Sequence, residues 1–70
     1  MTHLIRLRFG KNIKKYRATQ KITQQKLAEL AEIEYKYIQR IEGKKPPAVR
    51  IDTIVKLAEA LKKKPSDLLL

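Results

Sequence analysis

Three polar residues near the middle of the chain, Lys36, Gln39 and Arg40, carry side chains that can recognise an anionic polymer with hydrogen-bonding edges. At helical spacing they fall on one side of a helix, away from Ile38 and Ile41. An arginine can donate two hydrogen bonds to guanine, and a glutamine can pair in a similar way with adenine, in the major groove of DNA. The pattern therefore predicts a helix that reads bases in a DNA duplex.

The charge of the chain indicates the same class of partner. Its 70 residues hold 17 Lys and Arg against 7 Asp and Glu, a formal net charge of +10, and residues 1–28 contain no acid. Such an excess favours nucleic acid or an anionic membrane surface. No apolar run is long enough to span a bilayer, the later acids interrupt the basic faces, and the N-terminus lacks the apolar stretch of a signal peptide. We therefore expect a cytoplasmic protein that binds double-stranded DNA and no membrane.

Residue patterns typical of catalysis or metal binding are missing from the sequence. The chain has no cysteine, and its one histidine, His3, has no second type of metal ligand grouped with it. We find no nucleophile–histidine pair, no glycine-rich phosphate loop and no paired carboxylates in a pocket-like setting. We therefore expect no enzyme activity, metal, cofactor or small-molecule effector.

Helical periodicity covers most of the chain, and no strand pattern is visible. The sequence predicts one all-α domain over residues 1–70 with five short helices and a mobile terminus at residues 1–4. The first helix is expected over about 4–19. Its predicted apolar face contains Ile5, Phe9, Ile13 and Tyr16. Gly10 lies within this helix and weakens it by up to about 1 kcal/mol relative to alanine.

The second and third helices are predicted to form the pair that presents the polar face. Thr23 is expected to cap a helix over about 24–31, because its hydroxyl can accept from a free amide of the first turn. Gly43 is expected as the C′ residue that ends a third helix over about 34–42. The apolar spacing allows the two helices to cross closely, with Ile33 filling the turn. This arrangement is a helix-turn-helix.

The fourth and fifth helices complete the predicted domain. Asp52 is expected to cap the fourth helix, which ends near Lys62, and Pro65 suits the first turn of a last helix over 65–69. The fourth helix is expected to face the core with Ile51, Ile54, Val55, Leu57, Ala58 and Leu61. The last three residues are Leu68, Leu69 and Leu70. Because three leucines exceed what so thin a core needs, we expect this end to serve a dimer interface as well as the core.

Five segments, in this order and spacing, resemble the Cro/phage-repressor class of helix-turn-helix proteins, the XRE-type transcriptional regulators. They are FGKNIKKYR, ITQQKLAELA, YIQRIEGKK, IVKLAEAL and KPSDLL, and together they span residues 9–69. The resemblance implies a compact five-helix, lambda-repressor-like domain whose helices 2 and 3 bind DNA. It also implies that Glu34 joins the groove-facing positions, that Gln24 meets a phosphate and supports base contacts, and that Tyr37 is partly packed.

Two sets of DNA contacts are predicted. Base contacts are predicted for Tyr35, Lys36, Gln39 and Arg40, although Tyr35 could also simply cover the edge of the helix. Contacts to the DNA backbone are predicted for Lys14, Arg17, Thr23, Gln24, Tyr37, Lys44 and Lys45.

The chain departs from the family pattern in ways that bear on the structure. Glu32 occupies the turn position where the family usually has glycine, so a left-handed backbone there would cost roughly 1 kcal/mol. Lys62 stands where glycine is frequent. Glu42 is expected to have a structural role and to pair locally with Lys45 or Arg40.

The interpretation favoured by these patterns is a small homodimeric transcriptional regulator on an inverted-repeat operator. Two-fold symmetry would place its two recognition helices about 34 Å apart. Restriction–modification controllers, phage repressors and antitoxins all fit, and the resemblance in length and layout favours the controllers slightly. The alternative is an antitoxin or another protein-binding helical module whose main role is to mask a partner protein.

Overall fold

Five α-helices follow one another along the chain: α1 (Thr2–Thr19), α2 (Gln24–Ala31), α3 (Tyr35–Ile41), α4 (Ile51–Ala60) and α5 (Pro65–Leu69). The computed structural model describes residues 2–70. The all-α prediction is confirmed, and over these residues no strand occurs. Of the terminus predicted to be mobile, Met1 lies outside the described residues and residues 2–4 belong to α1.

One cluster of buried side chains joins all five helices. Its members are Phe9 and Ile13 of α1, Leu27, Ala28 and Ala31 of α2, Ile38 and Ile41 of α3, Leu57 and Ala58 of α4 with Leu61 just after it, and Leu68 of α5. The predicted core face of α4 is wrong at its first turns, where Ile51 is 77% and Val55 39% exposed. The reason is that α4 packs through its C-terminal half, which leaves these two residues on the outer side.

Gly10 lies where α1 crosses the end of α3. A Cβ atom at this position would collide with the backbone carbonyl oxygen of Ile41, and Gly10 itself is buried. From the sequence alone, the only predicted effect of this glycine is a weaker α1. The helix crossing explains why glycine is needed at position 10, because the two backbones approach too closely for any side chain.

Three helices end in a left-handed residue that is not glycine. Lys21, Glu32 and Lys62 have φ angles of 58°, 56° and 58°. The next amide then reaches back five residues, in Ile22 N–H to Arg17 O (3.0 Å), Ile33 N–H to Ala28 O (2.9 Å) and Lys63 N–H to Ala58 O (2.9 Å). This is the Schellman pattern, which normally uses glycine at the left-handed position. The left-handed backbone anticipated at Glu32 is therefore present, and the same geometry recurs at two further helix ends.

The other capping predictions have mixed outcomes. The Thr23 hydroxyl accepts a hydrogen bond from the Lys26 amide at 3.0 Å, as predicted. Asp52 is not the cap of α4: Arg50 occupies that position without a side-chain hydrogen bond, and Asp52 lies in the first turn. Gly43 follows the C-cap Glu42 but does not have a positive φ, and its amide donates to Arg40 O at 3.1 Å. The end of α3 is therefore a tight turn and not a left-handed cap.

Candidate nucleic-acid interface

The helices α2 and α3 pack against each other across a turn of three residues, 32–34. Glu32 turns the backbone in the left-handed region, and Ile33 follows, half-buried against the core. Glu34 then starts α3 in an extended conformation, without a side-chain cap. The predicted helix-turn-helix is confirmed, with Ile33 filling the turn as its spacing indicated.

The two sides of α3 have opposite environments. Ile38 and Ile41 are fully buried. Lys36, Gln39 and Arg40 are exposed, and the Tyr35 side chain is 43% exposed. The second side, which we call the reading face (Tyr35, Lys36, Gln39 and Arg40), carries a cation, an amide and a guanidinium that are open to solvent. It has the hydrogen-bonding groups and the positive charge needed to bind bases in a major groove.

A partly buried ion pair holds the end of α3 against α1. Arg17 donates from Nε to Glu42 Oε2 at 3.0 Å and from Nη2 to Glu42 Oε1 at 2.9 Å. The Glu42 side chain is 4% and the Arg17 side chain 15% exposed. Gln24, the first residue of α2, donates from Nε2 to the same Oε1 at 3.0 Å. Glu42 thus has the structural role that was expected, but its partners are Arg17 and Gln24 and not Lys45 or Arg40.

We call this arrangement the Glu42 clasp (Arg17, Gln24 and Glu42). Arg17 also donates from Nη1 to the Ile22 carbonyl at 3.1 Å, so the clasp reaches the α1–α2 connection as well. A planar guanidinium that binds both carboxylate oxygens holds them in a defined geometry. The clasp therefore ties together α1, the start of α2 and the end of α3, the elements that border the reading face.

The residues predicted to contact the DNA backbone fall into two groups. The side chains of Lys14, Lys44 and Lys45 are exposed, and Lys14 lies between Gly10 and Arg17 on the side of α1 that faces α3. The other four are already used within the fold. Thr23 caps α2, Arg17 and Gln24 belong to the clasp, and Tyr37 donates from its hydroxyl to Ala48 O at 3.2 Å.

This division matters for the charge near the reading face. Arg17 is neutralised by Glu42, so its charge is not free for a phosphate in the way that the charge of Lys14 is. Tyr37 holds the 43–50 loop, which carries Lys44 and Lys45, close to α3. The lysines whose charges remain available for phosphates, Lys14, Lys44 and Lys45, are thus different residues from Arg17 and Tyr37, which hold the surrounding elements in position.

The three terminal leucines have three different environments. Leu68 is fully buried and belongs to the core of the protomer, so it is not available for the predicted dimer interface. Leu69 is half-buried and lines a groove of about 200 Å³ with Ile5, Phe9, Val49 and Ile54 among its other walls. Leu70 is 87% exposed. The surplus of apolar surface expected at this end is therefore carried by Leu70 and, in part, by Leu69.

One feature of the site was missed from sequence. The pairing of Glu42 with Arg17 joins residues 25 positions apart, which helical periodicity within one element does not reveal. A usable signal was present, since both residues lie within segments that resemble the family, Arg17 in FGKNIKKYR and Glu42 in YIQRIEGKK. Among residues 2–70, no group of acidic and histidine side chains is arranged to hold a metal, and no helix is long and apolar enough to cross a membrane.

Comparisons with known proteins agree with this geometry. The family model for the Cro/C1-type HTH DNA-binding domain matches residues 12–69. The chain is similar to the restriction-modification controller protein C.AhdI from Aeromonas hydrophila, with 28% identity and a TM-score of 0.84 over 90% of this chain and 94% of that one. It also shares the fold of the clp gene regulator ClgR from C. glutamicum, with 23% identity and a TM-score of 0.83 over 93% of this chain and 83% of that one. A comparison with curated proteins finds no match.

Proposed function

Because this chain belongs to the Cro/C1-type helix-turn-helix DNA-binding domain family, we propose that it is a transcriptional regulator that binds a specific operator in duplex DNA. The observation that carries the proposal is the division of α3, with Ile38 and Ile41 buried and the reading face open. Binding, and not catalysis, is the function that this surface supports. The activity also requires that the protein share a compartment with DNA, and we therefore propose a cytoplasmic location.

The proposed complex places α3 in the major groove. Arg40 and Gln39 supply the hydrogen bonds that distinguish bases, while Lys36 and Tyr35 contribute at the edge of the reading face. Lys14, Lys44 and Lys45 neutralise phosphates on either side and set the register of the helix. In this arrangement the exposed cations determine affinity, and the side chains of α3 determine which sequence is bound.

We further propose that two copies bind together on an inverted repeat. The support is the largely apolar groove lined by Phe9, Ile54 and Leu69, with Ile5 and Val49 among its other walls. The elements α4 and α5 that line it also leave Ile51, Val55 and the terminal Leu70 exposed. A contiguous apolar groove on the surface of a small domain is typical of a protein–protein interface. A second copy is the partner we favour, because two-fold symmetry would present two reading faces about one turn of DNA apart.

Among the regulatory roles, we favour that of a restriction–modification controller. The support is the similarity to C.AhdI, which covers 94% of that protein. A methyltransferase or endonuclease gene beside this gene would agree with the role. A toxin gene or a phage integrase gene would favour the antitoxin or the phage-repressor role.

The decisive experiment is selection of bound duplexes from a random pool, followed by gel shifts on the enriched sequence. We expect an inverted repeat whose half-sites lie about one helical turn apart and a complex with two protein chains. Sedimentation at micromolar concentration should show dimers of the free protein. Enrichment of no sequence over the starting pool would contradict the proposed function, and enrichment of a single half-site would contradict the dimer.

A further inference from the structure

The side-chain amide of Gln24 has one of its two hydrogen-bonding groups, the –NH₂, already engaged within the fold. Its Nε2 lies 3.0 Å from Glu42 Oε1, and its side chain is half-buried. An ionised carboxylate can only accept hydrogen bonds. The –NH₂ group of Gln24 must therefore face Glu42, which fixes the orientation of an amide that could otherwise adopt two.

This orientation leaves Gln24 with its carbonyl oxygen and one N–H for a ligand. A free glutamine side chain would sample both amide orientations and several rotamers, and ordering it on DNA would oppose binding. A side chain that is already held in one orientation avoids this loss. The carboxylate that holds it is itself held by two hydrogen bonds from Arg17, at 3.0 and 2.9 Å.

We propose that Glu42 is a positioning residue for DNA recognition, which orients the amide of Gln24 toward the duplex. The inference rests on the proposed function, since it assigns Gln24 a contact with the operator. Arg17 contributes by neutralising the carboxylate, which is 4% exposed and would otherwise bring a negative charge close to phosphates. Glu42 contacts no DNA in this arrangement, although it lies at the end of the recognition helix.

The test is a double-mutant cycle on operator affinity with Gln24→Ala and Glu42→Gln, each alone and both together. Glu59→Gln is the matched control, because it removes the same charge from an exposed side chain on α4. In the wild-type background, Gln24→Ala should weaken operator binding about tenfold, the size expected for a hydrogen bond to a charged group. In the Glu42→Gln background the same change should cost less than about threefold, and in the Glu59→Gln background the full tenfold.

A purely structural role for Glu42 predicts a different result. In that case Glu42→Gln lowers the melting temperature, but Gln24→Ala costs the same factor in every background, and this outcome would overturn the inference. It is also overturned if Gln24→Ala has no effect on the wild-type protein while operator binding persists. Failure of the wild-type protein to select any operator would instead refute the proposed function, so the two failures are distinguishable.

A second measurement covers the case in which Glu42→Gln does not fold. Nuclear magnetic resonance relaxation of the Gln24 side-chain amide can be recorded on the unaltered protein without DNA. We expect this –NH₂ group to be as rigid as the backbone of α2, whereas the exposed amides of Gln25 and Gln39 should be mobile. Mobility of the Gln24 amide equal to that of Gln25 would overturn the inference by itself.

Discussion

The two sides of α3 show how one short helix separates stability from recognition. Its inner side, with Ile38 and Ile41, is fully buried and meets α1 at Gly10. Its outer side carries exposed polar groups that make no contribution to the core. This difference predicts that substitutions at neighbouring residues of this helix change different properties of the protein. The inner side should change the free energy of unfolding, and the outer side should change binding to DNA.

The largest effect is expected from two adjacent residues, Ile38 and Gln39. Ile38→Ala removes a fully buried side chain and should lower the free energy of unfolding by about 2–5 kcal/mol, a large share of the stability of so small a domain. Gln39→Ala removes an exposed side chain and should change it by less than about 0.5 kcal/mol. Urea denaturation of both variants measures the difference. Equal losses would show that the two sides of α3 are not energetically distinct.

The contact between the backbones of α1 and α3 provides the next test. Gly10→Ala should destabilise the protein by about 2 kcal/mol, because the new methyl group meets the Ile41 carbonyl oxygen and neither backbone can move freely. Alanine improves helix propensity by up to about 1 kcal/mol, which offsets only part of this loss. Gly43→Ala is the control, since a Cβ there would meet its nearest atom at 3.3 Å. A more stable Gly10→Ala variant would show that the crossing is looser than the structure indicates.

On the outer side, Arg40→Ala should weaken specific binding by about 1–3 kcal/mol and relax base preference at one operator position. Its melting temperature should remain close to that of the wild-type protein, because the side chain is exposed. Gel shifts on a set of operator variants measure the preference. If the loss is the same on every sequence, Arg40 contacts a phosphate and not a base.

Two neighbouring lysines on α1 sharpen the comparison further. Lys14→Ala should reduce the salt slope of DNA binding by about one unit, since one phosphate contact is lost. Lys15 is turned by about 100° from Lys14 around the helix, and its Nζ lies 5.6 Å from the centre of the Tyr16 ring, so Lys15→Ala should leave the slope unchanged. Affinities measured at several salt concentrations give both slopes. The assignment of Lys14 to the interface fails if the two variants behave alike.

The smallest effect is expected at the turn that joins α2 to α3. Glu32→Gly relieves a left-handed backbone and should stabilise the protein by up to about 1 kcal/mol. Thermal denaturation measures this, and Lys62→Gly is a parallel case at the end of α4, where φ is 58° against 56° at Glu32. An unchanged or lower melting temperature in both variants would show that these positions are not strained.

Much of the fold is local and could be predicted from the chain. Thr23 marks the start of α2, and the bounds of α2 and α5 agree with the expected 24–31 and 65–69 because capping residues and prolines act on adjacent backbone. The core face of α4 was less predictable. Ile51 and Val55 have the same apolar character as Leu57, and only the position of α4 on its neighbours decides which of them is covered.

The sequence by itself determined five helices, the helix-turn-helix and the polar side of α3, because helical periodicity and capping depend on residues a few positions apart. Only the tertiary structure decided that Gly10 leaves space for the Ile41 carbonyl oxygen and that Arg17 forms an ion pair with Glu42. It also decided that Leu68 is buried while Leu70 is exposed. These facts depend on which elements meet in space. A carboxylate far along the chain can neutralise a cation only once the fold has brought the two side chains together, and composition carries no record of that distance.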